Sequence, residues 1–210
     1  MTNLLILGAA GQIAQWAVRL LAQRDDVRLT LFVRDAAKLG GIPPNAVVVE
    51  GDATDLQALQ AAMHGQDMVY ANLFGEMDVH AANIVAAMES TGVKRVVFVS
   101  SLGIYDEVPG AFGEWNRREI GSYLPPYRRA ADILEASGLD YTVLRPAWLQ
   151  DQDEINYATT SKGAPFQGTE VSRKSVAAVV VAIVDDPQRW SRANIGIHKP
   201  GTDGDKPAFI

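Results

Sequence analysis

At 210 residues, 48% hydrophobic and 21% charged, the chain has the balance of a globular protein able to bury a sizeable core, which excludes disorder as its main state. Nineteen Lys and Arg against twenty-five Asp and Glu leave a net charge of −6, so the cationic field that a general nucleic-acid binder needs is missing. No cysteine is present, which removes disulfides, thiolate chemistry and Cys-type zinc sites together, and no apolar run reaches the ~18–20 residues of a membrane span; the expectation is a soluble, cytoplasmic protein without a membrane or nucleic-acid partner.

Strand-length apolar runs alternate with stretches of helical spacing, the pattern of βαβ units and a parallel sheet. Asn3–Leu7 reads as a buried strand, and Gln12–Gln23 as a helix with Ile13, Trp16, Ala17, Leu20 and Leu21 on one face. Val27–Val33 is the second strand and Ala46–Glu50 the third; Thr54 then starts a helix striped by Leu56, Leu59, Ala62 and Met63. Asp67–Leu73 follows as a strand and Met77–Thr91 as a helix closed by Gly92. Val93–Ser100, rich in β-branched residues, is a central strand. A helix from about Pro126 to Ser137 leads into the strand Leu139–Leu144, and Ser172–Val184 is a late helix before a last strand at Ala193–His198. The stretches 105–125 and 146–171 have no clear period and read as long loops beyond strand ends, where open α/β sheets bind ligands. The tail after Lys199 reads as frayed.

Gly8-Ala9-Ala10-Gly11-Gln12-Ile13-Ala14 places small residues at a 3-3 spacing between the first strand and the first helix, where a dinucleotide pyrophosphate needs a tight turn, close backbone approach and helix N–H groups. With Val33-Arg34-Asp35, Gly51-Asp52-Ala53-Thr54-Asp55, Gly92 to Ser101 and Ser137 to Pro146, the chain resembles the atypical short-chain dehydrogenases/reductases, and within them the NmrA-like NAD(P)H-binding group. The resemblance runs from Asn3 to about Val184. It implies a Rossmann-type doubly wound parallel sheet in three α/β/α layers, one domain over 1–210, with Gly8, Gly11, Gln12, Ile13, Arg34, Asp52, Ala53, Ser100 and Pro146 around the cofactor.

Arg34 stands where NAD-preferring proteins carry a carboxylate for the ribose 2′-hydroxyl. An arginine suits a 2′-phosphate by charge and planar shape, with Lys38 a second cation, so NADP (NADPH) is expected ahead of NAD. Asp52 reads either as a contact to the adenine edge, which the resemblance implies, or as a turn residue or helix cap. Catalytic members of the family pair a tyrosine with a lysine four residues on. Those positions fall on Tyr123 and Tyr127, so the lysine that would activate the phenol is replaced. Tyr123, Ser101 and Tyr105 are the candidate catalytic residues. Ser101 matches the substrate-polarising hydroxyl, and Tyr105 is a second phenol from the same strand end. His64, His80 and His198 lack ligand spacing and read as surface or helix residues, and Asp151, Asp153 and Glu154 as a solvated acidic loop. Two functions fit: an NADP(H)-binding oxidoreductase passing hydride to a small carbonyl or quinone, and an NADP(H)-sensing regulatory protein with a protein partner. A homo-oligomer is compatible with either.

Overall fold

In the computed structural model, which describes residues 1–210, the first strand, β1 (Thr2–Leu7), is buried on both sides. Its alternation sends Leu4 and Ile6 into one core and Leu5 and Leu7 into the other, as a continuous apolar run in a parallel sheet must. The chain continues through α1 (Gln12–Leu21), β2 (Val27–Val33), β3 (Ala46–Glu50), α2 (Leu56–Met63), β4 (Met68–Ala71), α3 (Met77–Thr91) and β5 (Arg95–Val99). It then forms α4 (Gly110–Ile120), α5 (Leu124–Ala136), β6 (Asp140–Pro146), β7 (Trp148–Gln150), β8 (Ala158–Ser161), β9 (Glu170–Ser172), α6 (Arg173–Asp185) and β10 (Ala193–His198).

Eight strands make one sheet in the order β3-β2-β1-β4-β5-β6-β10-β8, parallel except for β8, which runs antiparallel to β10 at the edge. β1 pairs with β2 in the register Leu4↔Leu29 and with β4 in the register Leu4↔Met68. Helices α1 and α6 cover one face, and α2, α3 and α5 the other, which gives the expected three-layer Rossmann architecture. The chain reverses its direction of sheet building at β1, whose two neighbours lie on opposite sides. The carboxyl ends of β1, β2 and β4 therefore flank a crevice.

Several expectations need correction. Thr54 does not start α2; Asp55 caps it, its Oδ1 accepting from the Gln57 and Ala58 N–H groups. Most of 105–125 is helical: α4 is followed by a single 3-10 turn, Gly121–Tyr123, that runs into α5. Pro125 and Pro126 fit the first turn of α5, where no N–H is required. Within 146–171, β7 and β9 pair in parallel, and Asp151, Asp153 and Glu154 are ion-paired to Arg173, Lys174 and Lys199, so the acidic loop is fastened to the start of α6 and to the tail. The tail is tied down: Gly168 N–H donates to Asp203, the Thr169 hydroxyl to the Thr202 carbonyl, and Ala208 N–H to the buried Glu170. His80 is a helix residue, as one of the two expectations had it, though buried in α3, whereas His198 is neither superficial nor helical but a buried residue of β10.

Candidate functional site

A cleft of ≈ 530 Å³ opens at the crevice between the ends of β1, β2 and β4. On one side runs the turn Gly8–Gly11. Gly8 adopts φ +74°, a conformation that favours glycine, and its N–H and that of Ala9 both donate to the Phe32 carbonyl. Asn72, just past β4, donates its N–H to the Leu7 carbonyl and lies against the turn. A Cβ on Gly8 would overlap the Asn72 carbonyl oxygen, and one on Gly11 would overlap Asn72 Nδ2. Gly8 is thus required by the packing of β4's end on the turn, whereas at Gly11 the obstacle is the end of a side chain that can shift.

Helix α1 begins at this turn with its N-terminus unsatisfied. Its cap position is Gly11, which has no side chain to offer, its first turn carries no acid, and the Gln12, Ile13 and Ala14 N–H groups have no protein acceptor. Helices α2 and α6 are capped by Asp55 and Ser172, while α3, α4 and α5, like α1, have no side-chain cap. The Ile13 side chain is in the core, and Gln12 and Ile13 follow directly on Gly11, which lines the cleft, so what they have free there is backbone N–H. An uncapped helix end with a positive dipole, beside a cleft lined by Gly8 and Gly11, has the donors and the charge to receive an anion such as a phosphate.

At the far side, Arg34 and Lys38 line the cleft from just beyond β2, both exposed and neither ion-paired. The nearby carboxylates are turned to backbone: Asp35 Oδ1 accepts from Ala37 N–H and Glu50 Oε1 from Ala36 N–H. Asp52 accepts from the N–H and hydroxyl of Thr54. Those bonds, with Arg34 and His80 nearby, hold its carboxyl below the usual range. Asp52 is thus a turn residue, and its second oxygen, Oδ2, makes no protein hydrogen bond. Ala53 is buried beside it, and His80, from the first turns of α3, completes this end.

The other expected residues lie along the strand ends. Ser100 N–H donates to the Leu144 carbonyl and Leu102 N–H to the Pro146 carbonyl, so Ser100, Ser101 and Pro146 meet where β5 and β6 end. The Ser100 hydroxyl is buried and unpartnered, and the Ser101 hydroxyl donates to the Leu102 carbonyl at 3.2 Å. The Trp148 indole N–H donates to the buried Asn116, and Trp115 packs against Trp148, so the two tryptophans anchor α4 to the segment after β6.

Tyr105 turns away from these strand ends. Its hydroxyl donates to Glu135 in the last turn of α5 (2.8 Å) and accepts from Asn194 at the start of β10 (2.7 Å), which draws it down the sheet face. Burial and the Glu135 carboxylate push its phenol well above the ordinary range. The expectation that Tyr105 reaches the ligand end is therefore corrected. Tyr123 caps the start of α5, 58% exposed and with no hydrogen bond, one turn ahead of the half-buried Tyr127, whose phenol is pushed up by burial.

The structure thus brings Gly8, Gly11, Arg34, Asp52 and Ala53 into one cleft, with Gln12 and Ile13 following on Gly11 beside it. It sets Ser100, Ser101 and Pro146 together on neighbouring strand ends and places Tyr123 separately at the α5 entry. Sequence reasoning missed Asn72 and His80. The signal for Asn72 was its place, a polar residue directly after a strand at the crevice; nothing local marked His80.

A model of the NAD(P)H-binding family matches residues 8–187. The chain is 30% identical over 206 residues to the protein named as the uncharacterized sugar epimerase YhfK of Bacillus subtilis, covering 90% of each. Among solved structures, it is similar to a Rossmann-fold NAD(P)-binding family protein from Shigella flexneri, with 50% identity over the whole of both chains and a TM-score of 0.87. A short-chain dehydrogenase/reductase from Veillonella parvula, solved in complex with NADP, superposes with a TM-score of 0.90 at 32% identity over 99% of both chains. On its crevice, its glycine turn and these matches, the chain belongs to the NAD(P)H-binding family, in the Rossmann fold of the atypical short-chain dehydrogenases/reductases.

Proposed function

We propose that this protein is an NADP(H)-dependent oxidoreductase that passes hydride to a small carbonyl or quinone acceptor. The observation that carries the reading is the state of Arg34 and Lys38: two cations at the end of β2, on the cleft, with the neighbouring carboxylates turned to backbone donors. Two unpaired cations there suit a ribose 2′-phosphate, whereas a 2′-hydroxyl calls for a carboxylate. The surroundings of the cleft fit a dinucleotide: a turn where backbone leaves no room for a Cβ at Gly8, three orphaned helix donors after Gly11 for the pyrophosphate, and, outside the cleft at the end of β5, a buried, unpartnered Ser100 hydroxyl for the nicotinamide half. The Veillonella relative's complex with NADP agrees with this choice.

When bound, the nicotinamide supplies the hydride. The chain's own share is positioning: the α1 donors fix the pyrophosphate, Arg34 and Lys38 fix the adenosine half, and Ser100 and Pro146 lie at the strand ends toward the other half. Tyr123 is the proton donor in this reading, since the Tyr105 hydroxyl is already engaged, and Ser101 polarises the acceptor oxygen.

A second reading rests on Tyr127, a half-buried phenol in place of the cation that would activate Tyr123. It makes the protein an NADP(H) sensor that responds to occupancy through a protein partner. Following NADPH oxidation across a panel of small aldehydes, ketones and quinones separates the two. Acceptor-dependent turnover supports the oxidoreductase; tight NADPH binding with no turnover on any acceptor supports the sensor.

A further inference from the structure

At the opposite end of the sheet from the crevice, around the first residues of β10, lies a second cavity of ≈ 350 Å³ that none of the roles above uses. Tyr141 and Trp190 line it together with Lys162 and Arg192. The one carboxylate on its wall, Glu135, is already engaged, since it accepts from Lys162, from Asn194 and from the Tyr105 hydroxyl. Lys162 is thereby neutralised, whereas the exposed Arg192 makes no ion pair. The cavity therefore carries one free positive charge on a protein whose net charge is −6.

That charge is held in place by a strained loop. Ten glycines take a positive φ and three other residues do; two of the three, Trp190 (φ 52°) and Arg192 (φ 49°), stand either side of Ser191 on this cavity. A bulky side chain in that conformation is unfavourable and persists where the surroundings enforce it. Here they do. Buried Arg95, at the start of β5, donates to the Pro187 and Arg189 carbonyls, and the buried Thr142 hydroxyl donates to the Trp190 carbonyl. Arg192 N–H donates to Asp140 Oδ1 and its Nη1 to the Leu139 carbonyl at 2.8 Å, and its guanidinium carbon lies 5.4 Å from the centre of the Tyr141 ring. An arginine is thus fixed beside an aromatic ring, against backbone strain, where glycine would have served a plain turn.

A planar anion fits that lining, because aromatic side chains receive a ring and a guanidinium takes a carboxylate through two parallel hydrogen bonds. We propose that this cavity is a binding site for a small aromatic carboxylate, with the carboxylate on Arg192 and the ring against Tyr141 and Trp190. Its volume is within the range of small-molecule pockets and ample for a single ring. The site is separate from the dinucleotide crevice, so it stands whether or not the crevice takes a dinucleotide.

The test is a titration of the isotopically labelled protein with benzoate, followed by amide NMR shifts, with benzamide as the neutral control and cyclohexanecarboxylate as the non-aromatic one. Benzoate should bind with a Kd of about 1 mM or tighter, the range of a single-ring ligand, and should move the amides of Lys162, Arg192 and Asn194. Both controls should bind more weakly, benzamide by about tenfold or more, the worth of a hydrogen bond to a charged group. Arg192→Gln should weaken benzoate by a similar factor and leave benzamide unchanged, and Arg192→Lys, which keeps the charge without the paired geometry, should recover part of the loss. Shifts that are absent or confined to the crevice, either control binding as tightly as benzoate, or an Arg192→Gln variant that binds benzoate as the wild-type protein does would each overturn the inference.

Discussion

Two tyrosines with the same functional group have opposite fates at the level of the single residue. Tyr105 donates to the Glu135 carboxylate and accepts from Asn194, so Tyr105→Phe should cost stability by about 1.5–3 kcal/mol, as for a hydrogen bond to a charged group, and leave turnover intact. Tyr123 makes no hydrogen bond and is exposed at the α5 entry, so Tyr123→Phe should leave stability unchanged and lower turnover by the ~10²–10⁴-fold typical of a lost general acid. Melting and steady-state rates on the two variants check both; a rate loss in Tyr105→Phe with a silent Tyr123→Phe would reverse the assignment. Gly11 is subject to two demands, since a Cβ there overlaps Asn72 and would crowd the uncapped start of α1. Gly11→Val should abolish NADPH binding in a titration while far-ultraviolet dichroism stays native, because Asn72 Nδ2 is the end of a side chain and can shift; undiminished binding would make the loop a turn and nothing more. The glycine spacing and Arg34 were legible because one short motif in one place carries them. Asn72 and His80 were not, because their meaning comes from what the fold brings against them.

Between the elements, the closest tie at the ligand end is the buried ion pair of Arg145 with Glu107. Arg145 at the end of β6 is 0% and Glu107 5% exposed, and Glu107 also accepts from the Gly103 and Tyr105 N–H groups. The pair therefore fastens the segment that follows Ser101 to the strand that ends at Pro146. Removing one partner of a buried pair leaves an uncompensated charge, so Glu107→Ala should cost about 3–5 kcal/mol in urea unfolding, whereas a cost within the ~0–1 kcal/mol of a surface pair would mean that water reaches Arg145. The same scale explains what the sequence hid. The strands β1 to β6 were legible because each is a dense apolar run bounded by turns. Helix α4 was not, since Gly110 and Gly113 lower its local propensity and it is held by contacts such as Trp148 to Asn116 that no window of sequence displays. Strands β7, β8 and β9 have three or four residues each and owe their form to partners far along the chain.

Over the whole molecule, the alternation of strand and helix was enough to give a doubly wound sheet, and the switch at β1 then fixes where a ligand binds, before any side chain is considered. What the topology leaves open is which dinucleotide the crevice prefers; in the function proposed above, Arg34 and Lys38, just beyond β2, decide it. Net charge offers no help here: at −6 the protein as a whole repels an anion, so the attraction must be local, and salt should weaken it less than it would a diffuse cationic surface. The most direct measurement is calorimetric titration of NADPH and NADH into the wild-type protein and Arg34→Asp. The account predicts one site per chain, NADPH tighter than NADH by at least about tenfold, and a loss of about 1–3 kcal/mol for NADPH alone in Arg34→Asp, the worth of a charge-assisted contact. Equal affinity for the two dinucleotides in the wild-type protein, or an equal loss of both in the variant, would contradict it.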